Sequence, residues 1–203
     1  MALANERLVE TFGPGGRYRL GPDILRMAEA ARAGLVSEAH SLLQDLSIEI
    51  QETVDLAILD KNALTFVDQV VAPQRLRAVS GVGLSFPLYC TANGKALLAA
   101  LPAKIMETLL PRELAALTPN TITSLERLHK ELRRVRERGY ALDEEEHSVG
   151  ICAVGVAIGQ TPLGFAAVSV PMPVQRFEEK RERAAKALRV TATAIAALWT
   201  GVT

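Results

Sequence analysis

The chain has 203 residues, with 23 Lys and Arg against 23 Asp and Glu, so its formal net charge is zero. Bulk charge therefore gives no case for nucleic-acid binding, although a local basic face remains open. Aromatic residues are 4% of the chain, which argues against a platform on which single-stranded bases stack.

The first stretch, "LVETFGPGGRYRLGPDIL", reads as strand, tight turn, strand and helix. Gly13, Pro14, Gly15 and Gly16 supply the turn, and Arg17 and Arg19 alternate with Tyr18 and Leu20 at the strand period. A helix is predicted from Asp23 to Arg32. Gly34 is expected to break it, and a second helix is expected from Val36 to Ile48. "VDLAILD" and "LTFVDQVV" then have hairpin spacing across Lys61-Asn62-Ala63. A third strand is expected to end in "LSFPLY".

Thr91 to Leu101 reads as a short helix, followed by another over Pro102 to Leu110. Thr123 and Glu126 have capping-box spacing. They open a helix with Leu125, Leu128, Leu132 and Val135 on one face, which Gly139 ends. "YALD" is a strand. "ICAVGVAI" and "LGFAAVSV" are apolar without alternation, as strands covered on both faces are. Residues 148–175 carry no charge, but Gly159, Pro162 and Gly164 cut them into strand-length pieces. That favours a buried hairpin over a membrane span. A helix from Phe177 to Trp199 closes the chain. Hairpin connections outnumber crossovers, so the fold class is α+β with an antiparallel sheet.

Four features invite chemistry. Gly94-Lys95 suggests a phosphate loop, but Tyr89 stands where the leading glycine is needed and Ala96 where Ser or Thr is needed. Cys90 precedes a helix N-terminus, yet no spacing links it or Cys152 to His40, His129 or His147 as a base, and the bland reading is two small apolar thiols. Nor do these residues have zinc spacing. Two scattered cysteines make no disulfide framework, and "MALANERLVE" has no signal pattern, which together point to the cytoplasm. Asp143 ends a strand ahead of the apolar hairpin. The run Asp143 to Glu146 is either a solvated turn or one that aims Asp143 into a cleft, and both stay open. Thr91-Ala92-Asn93-Gly94 brings small residues to a helix entrance whose first-turn N–H groups attract anions. An ordinary capped helix explains it equally well, and Lys95 reads as an ordinary helix lysine. The basic helix Lys130 to Arg138 is read as amphipathic, with a wet outer face.

Together, "GGRYRLGPDIL", "FPLYCTANGKALLAAL", "ERGYALDEEEHSVGICAVGVAI" and "LGFAAVSVPMPVQRF" resemble the IclR family of bacterial transcriptional regulators. The match runs in order across nearly the whole chain. The resemblance implies a GAF-like, profilin-like effector-binding domain over residues 35–203, a linker helix over 21–34 and the wing of a winged helix-turn-helix over 1–20. Arg17 and Arg19 would be the wing's DNA contacts. The family's recognition helix would lie before Met1, so the chain is expected to be a truncated product or an alternative start, with operator DNA bound by the full-length protein. Also implied are a homodimer or homotetramer, no membrane, and a small-molecule carboxylate effector with no cofactor, metal or catalytic residue.

Carried over from the family, the effector pocket takes Ala78 and Phe86 as walls and the N–H groups of Ala92 and Asn93. Asp143, Cys152 and Ser169 supply its polar groups. A further polar position of the family is Pro171 here, which disfavours a short keto acid and favours a larger, more apolar acid, aromatic ones included. The alternatives are a redox enzyme of GAF-like fold using Cys90 and Cys152, and a structural oligomerisation domain.

Overall fold

The computed structural model describes residues 2–13 and 15–200; Pro14, expected in the first turn, lies outside them. In chain order the elements are α1 (Ala2–Asn5), β1 (Val9–Phe12), β2 (Arg17–Leu20), α2 (Asp23–Ile50), β3 (Val54–Asp60), β4 (Ala63–Val70), β5 (Ser85–Phe86), α3 (Ala92–Ala100), α4 (Ala103–Leu109), α5 (Leu125–Arg138), β6 (Ala141–Glu144), β7 (Ile151–Thr161), β8 (Gly164–Pro173) and α6 (Val174–Thr200). By contacts the chain divides into two compact units, at Glu38 and Ala39.

In the smaller unit β1 and β2 form an antiparallel ribbon, pairing Val9 with Leu20 and Phe12 with Arg17. Arg19 forms an ion pair with Glu10 at 2.8 Å, and the Arg17 guanidinium lies 5.2 Å from the centre of the Phe12 ring. The predicted break at Gly34 does not occur, since α2 runs unbroken from Asp23 to Ile50. One glycine costs a helix only about 1 kcal/mol relative to alanine.

The larger unit is built on one antiparallel sheet of order β5-β4-β3-β8-β7-β6. Side chains alternate between its faces. Val168, Val170 and Met172 of β8 and Val154 and Val156 of β7 are buried on one face, where α6 crosses the two strands. On the other face Ala57, Ala141 and Ala167 join a core with Leu97 and Leu98 of α3 and Leu128, Leu132 and Val135 of α5. The predicted hairpin of residues 148–175 is β7-β8, in the interior of the sheet. Among the described residues no helix is long and apolar enough to cross a membrane.

Two end signals need adjustment. Ser124, not Thr123, caps α5, accepting from the Arg127 N–H; Gly139 ends that helix as expected, in the left-handed region at φ 81°. The third strand shrinks to Ser85–Phe86.

A bulge decides which side chains face the site. Ala57 pairs with Phe66, but Asp55 pairs with Gln69, so β4 carries one extra residue between them. Opposed residues share a face, so the insertion brings Gln69 to the same side as Phe66.

Candidate functional site

The entrance of α3 forms the first wall. Thr91 caps it: its hydroxyl accepts from the Gly94 N–H at 3.2 Å and donates to the Pro87 carbonyl at 2.9 Å. The Lys95 N–H bonds to the Thr91 carbonyl. Ala92 and Asn93 keep free first-turn donors, as helix starts do. The helix lies directly on the sheet because Gly155 of β7 has no side chain. A Cβ there would sit 2.6 Å from the Ala92 carbonyl carbon and 2.8 Å from the Asn93 nitrogen. Gly155→Ala is therefore expected to lower the urea midpoint by the equivalent of about 2–3 kcal/mol, the usual cost of overpacking a close contact.

The sheet forms the floor. Asp55 of β3 pairs with Ser169 of β8, and Ser169 pairs with Gly155 of β7. One row further, Pro171 pairs with Ala153, and Ala153 with Asp143 of β6. The opposite wall is Phe86, which meets Phe66 edge-on at 5.0 Å and stacks on His147 at 4.1 Å. Arg77, Ala78, Val79 and Ser80 close the rim. The cavity, open to solvent on one side, measures about 280 Å³.

Ala78, Phe86, Ala92, Asn93, Asp143 and Ser169 all line this one cavity, as does Pro171. Cys152 does not. Its neighbours Ile151 and Ala153 point into the cavity, so strand alternation turns Cys152 to the other face, where it pairs with Met172. Cys90 is wholly buried and also absent from the lining. Burial pushes the Cys90 thiol up to about 12 and the Cys152 thiol up to about 11, the opposite of an activated nucleophile.

The polar groups are unevenly satisfied. Asn93 is 2% exposed, and neither Oδ1 nor Nδ2 has a hydrogen-bond partner. Asp143 accepts from the Glu146 N–H at 2.7 Å, yet burial raises its pKa to about 7. Burial lowers that of His147. Asp55 accepts from Gln69 and Ser80, and burial raises its pKa to about 6.

Sequence reading missed Lys95, Glu146 and Asp55. Lys95 is no ordinary helix lysine: it is 1% exposed and paired with Glu146, which is itself buried. The solvated-turn reading of residues 143–146 therefore fails at Asp143 and Glu146. The Thr118 and Thr121 hydroxyls pin this loop by donating to the carbonyls of Glu145 and Glu146, both at 2.6 Å. One signal was available, for in "ANGKALLAA" Lys95 has no polar face to join. Lys95→Met, which strands the Glu146 carboxylate, is expected to cost about 3–5 kcal/mol in thermal or urea unfolding. Adding Glu146→Leu should recover most of that loss. His40, on a solvent-exposed face of α2, has its Nδ1 2.8 Å from Asp68 Oδ2. Among the described residues no cluster of three His, Cys, Asp or Glu side chains could hold a metal.

A single antiparallel sheet with helices on both faces and a polar-rimmed cavity at the entrance of one of them defines a GAF-like domain. The family model "Bacterial transcriptional regulator IclR C-terminal" matches residues 27–197. The HTH-type transcriptional regulator Rv1719 of Mycobacterium tuberculosis is 52% identical over 200 residues, covering 98% of this chain and 77% of its own. The solved IclR of Thermotoga maritima superposes with a TM-score of 0.77 at 34% identity, covering 96% of this chain and 81% of its own. An IclR homologue of Microbacterium hydrocarbonoxydans, solved with 4-hydroxybenzoate, has a TM-score of 0.76 at 22% identity, covering 98% and 82%, and shows likeness of fold. The chain belongs to the IclR family of bacterial transcriptional regulators, and its relatives are regulators, not enzymes.

Proposed function

We propose that residues 39–203 bind a small organic acid in the 280 Å³ cavity and that occupancy controls transcription. The observation that carries this reading is Asn93, whose two buried side-chain polar atoms have no partner at the cavity wall. Leaving them so costs stability unless a ligand supplies the partners. The carboxylate is placed against the N–H groups of Ala92 and Asn93, where the helix dipole favours an anion. Phe86, Phe66 and Leu64 then face the apolar body of the acid. Ser169 stands on the floor, while Pro171 offers no donor, so a keto acid no larger than pyruvate leaves polar groups unmatched. The homologue solved with 4-hydroxybenzoate lends this chain its fold; the preference for a larger acid rests on the cavity.

Readout is assigned to α2. Its last turns are anchored in the larger unit through Ala39, Leu43, Leu46 and Ile50. Residues 21–34 act as the linker and 1–20 as the wing, with Arg17 and Arg19 on exposed positions of the ribbon for phosphate contact. Operator DNA and a homodimer or homotetramer complete the assembly. Ligand can bias DNA binding only through unequal affinity for two arrangements.

Calorimetry with benzoate, phenylacetate, pyruvate and glyoxylate tests the reading. Tighter binding of the aromatic acids, with a rise in melting temperature, is expected. Binding of the keto acids alone would refute the size assignment, and no response to any acid would refute the site.

A further inference from the structure

Asp55 and Glu52 are buried acids three residues apart, with opposite surroundings. Glu52 is held by Arg176 at 2.7 Å and by Lys180 at 2.7 Å. Those cations outweigh its burial and hold its pKa below the ordinary value. Asp55 is 1% exposed, and its two partners are neutral: Gln69 Nε2 donates to Oδ1 and Ser80 Oγ donates to Oδ2, each at 2.6 Å. Arg77 lines the same cavity but donates to the Gln74 carbonyl instead. A buried carboxylate with no counter-charge is under-compensated, and each of its oxygens can accept a second hydrogen bond. The bulge in β4 supplies Gln69 to this cluster, so the sheet is shaped around Asp55 as well as around Phe66.

The position is suggestive of an endpoint. Gly155 lies under the entrance of α3, and Asp55 stands across β8 from it in the same row. Two strand spacings amount to roughly 10 Å. A single ring with substituents at opposite ends fits between an anion held at α3 and a group placed at Asp55.

We propose that Asp55 determines specificity by reading the far end of the ligand. The effector is then an organic acid with a hydroxyl donor opposite its carboxylate, and Asp55 accepts from that hydroxyl. This rests on the acid-binding reading above and adds to it the group at the other end.

The test is calorimetry on the full chain with benzoate, 4-hydroxybenzoate and 4-methoxybenzoate. The last two share ring and carboxylate and differ in the donor proton. The hydroxy acid is expected to bind about tenfold more tightly than the methoxy acid, as for a hydrogen bond to a charged acceptor. In Asp55→Asn the Gln69 contact can persist while the Nδ2 side becomes a donor, so the ratio should fall to within about threefold. Ser80→Ala frees an Asp55 oxygen but also removes a hydrogen bond that favours its charged form; measured at pH 8, where the carboxyl stays ionised, it should widen the ratio, and this variant decides the matter if Asp55→Asn does not fold. Equal binding of the two acids to the wild type, or a ratio that survives in Asp55→Asn, would overturn the role of Asp55 while leaving the acid site intact. If none of the three acids binds, the acid site falls with it.

Discussion

Asn93→Leu is expected to make the domain more stable and deaf to its effector at once. Leucine has the same branched four-atom skeleton as asparagine, with bulkier methyl ends, and carries no polar atoms. It removes two buried groups that have no partner, each an uncompensated loss of hydration in the ligand-free protein. A gain of about 1–3 kcal/mol follows, or roughly 2–4 °C in melting temperature for each kcal/mol in a chain of this size. Affinity for an acid should meanwhile fall by about tenfold or more, since the side-chain contacts disappear and a methyl group faces the carboxylate. A residue that merely caps or packs the helix would move both quantities the same way. Loss of stability, or unchanged affinity in calorimetry, would remove Asn93 from the site. Asn93→Pro is a poorer probe, because proline disfavours the helical conformation that Ala92 adopts before it.

Acid binding should also weaken as pH rises through neutrality. Asp143 lines the cavity and titrates near 7. Below that it is neutral and can donate to a carboxylate; above it, it is a second anion at the same helix entrance. Its charged neighbours are Glu146 and Lys95, which pair with each other, and burial keeps the nearby His147 neutral. Between about pH 6.5 and 8.5 the affinity for benzoate should fall about tenfold, with the acid ionised throughout. The folded protein follows the same sign. A carboxyl raised from its ordinary 3.8 to about 7 contributes stability that is complete below about pH 4 and lost as pH rises through 7. Asp143→Asn keeps an acceptor for the Glu146 N–H and carries no charge. It should flatten the affinity profile and raise the melting temperature at pH 8 most of all. An equally steep profile in the variant would assign the titration elsewhere.

Patterns with local causes were legible in the sequence. The β3-β4 and β7-β8 hairpins, the Gly139 stop and the Thr91 cap follow from turn chemistry, alternation and capping, all set within a few residues. The pocket residues came from resemblance to a family, and six of the seven positions meet at one cavity. Cys152 missed because one step along a strand reverses the face. Lys95, Glu146 and Asp55 were hidden for a different reason. Each is a charge whose burial is produced by partners distant in sequence: 51 residues separate Lys95 from Glu146, and 25 separate Asp55 from Ser80. No local rule reports such a pairing. A charge set among mostly apolar neighbours, as Lys95 in "ANGKALLAA" and Asp55 in "VDLAILD", is the trace it leaves.

The extra residue in β4 has a consequence for how such a sensor diversifies. Upstream of it the strand offers Leu64 and Phe66 to the ligand, and downstream it offers Gln69. Sliding the insertion one position toward the hairpin would set Val67 opposite Ala57 in place of Phe66, trading an aromatic wall for a smaller aliphatic one, while Gln69 would stay opposite Asp55. Strand order, hairpin turn and the seat of α3 would all be spared. Ligand repertoire can thus drift by moving one irregularity, a far smaller change than rebuilding a wall side chain by side chain.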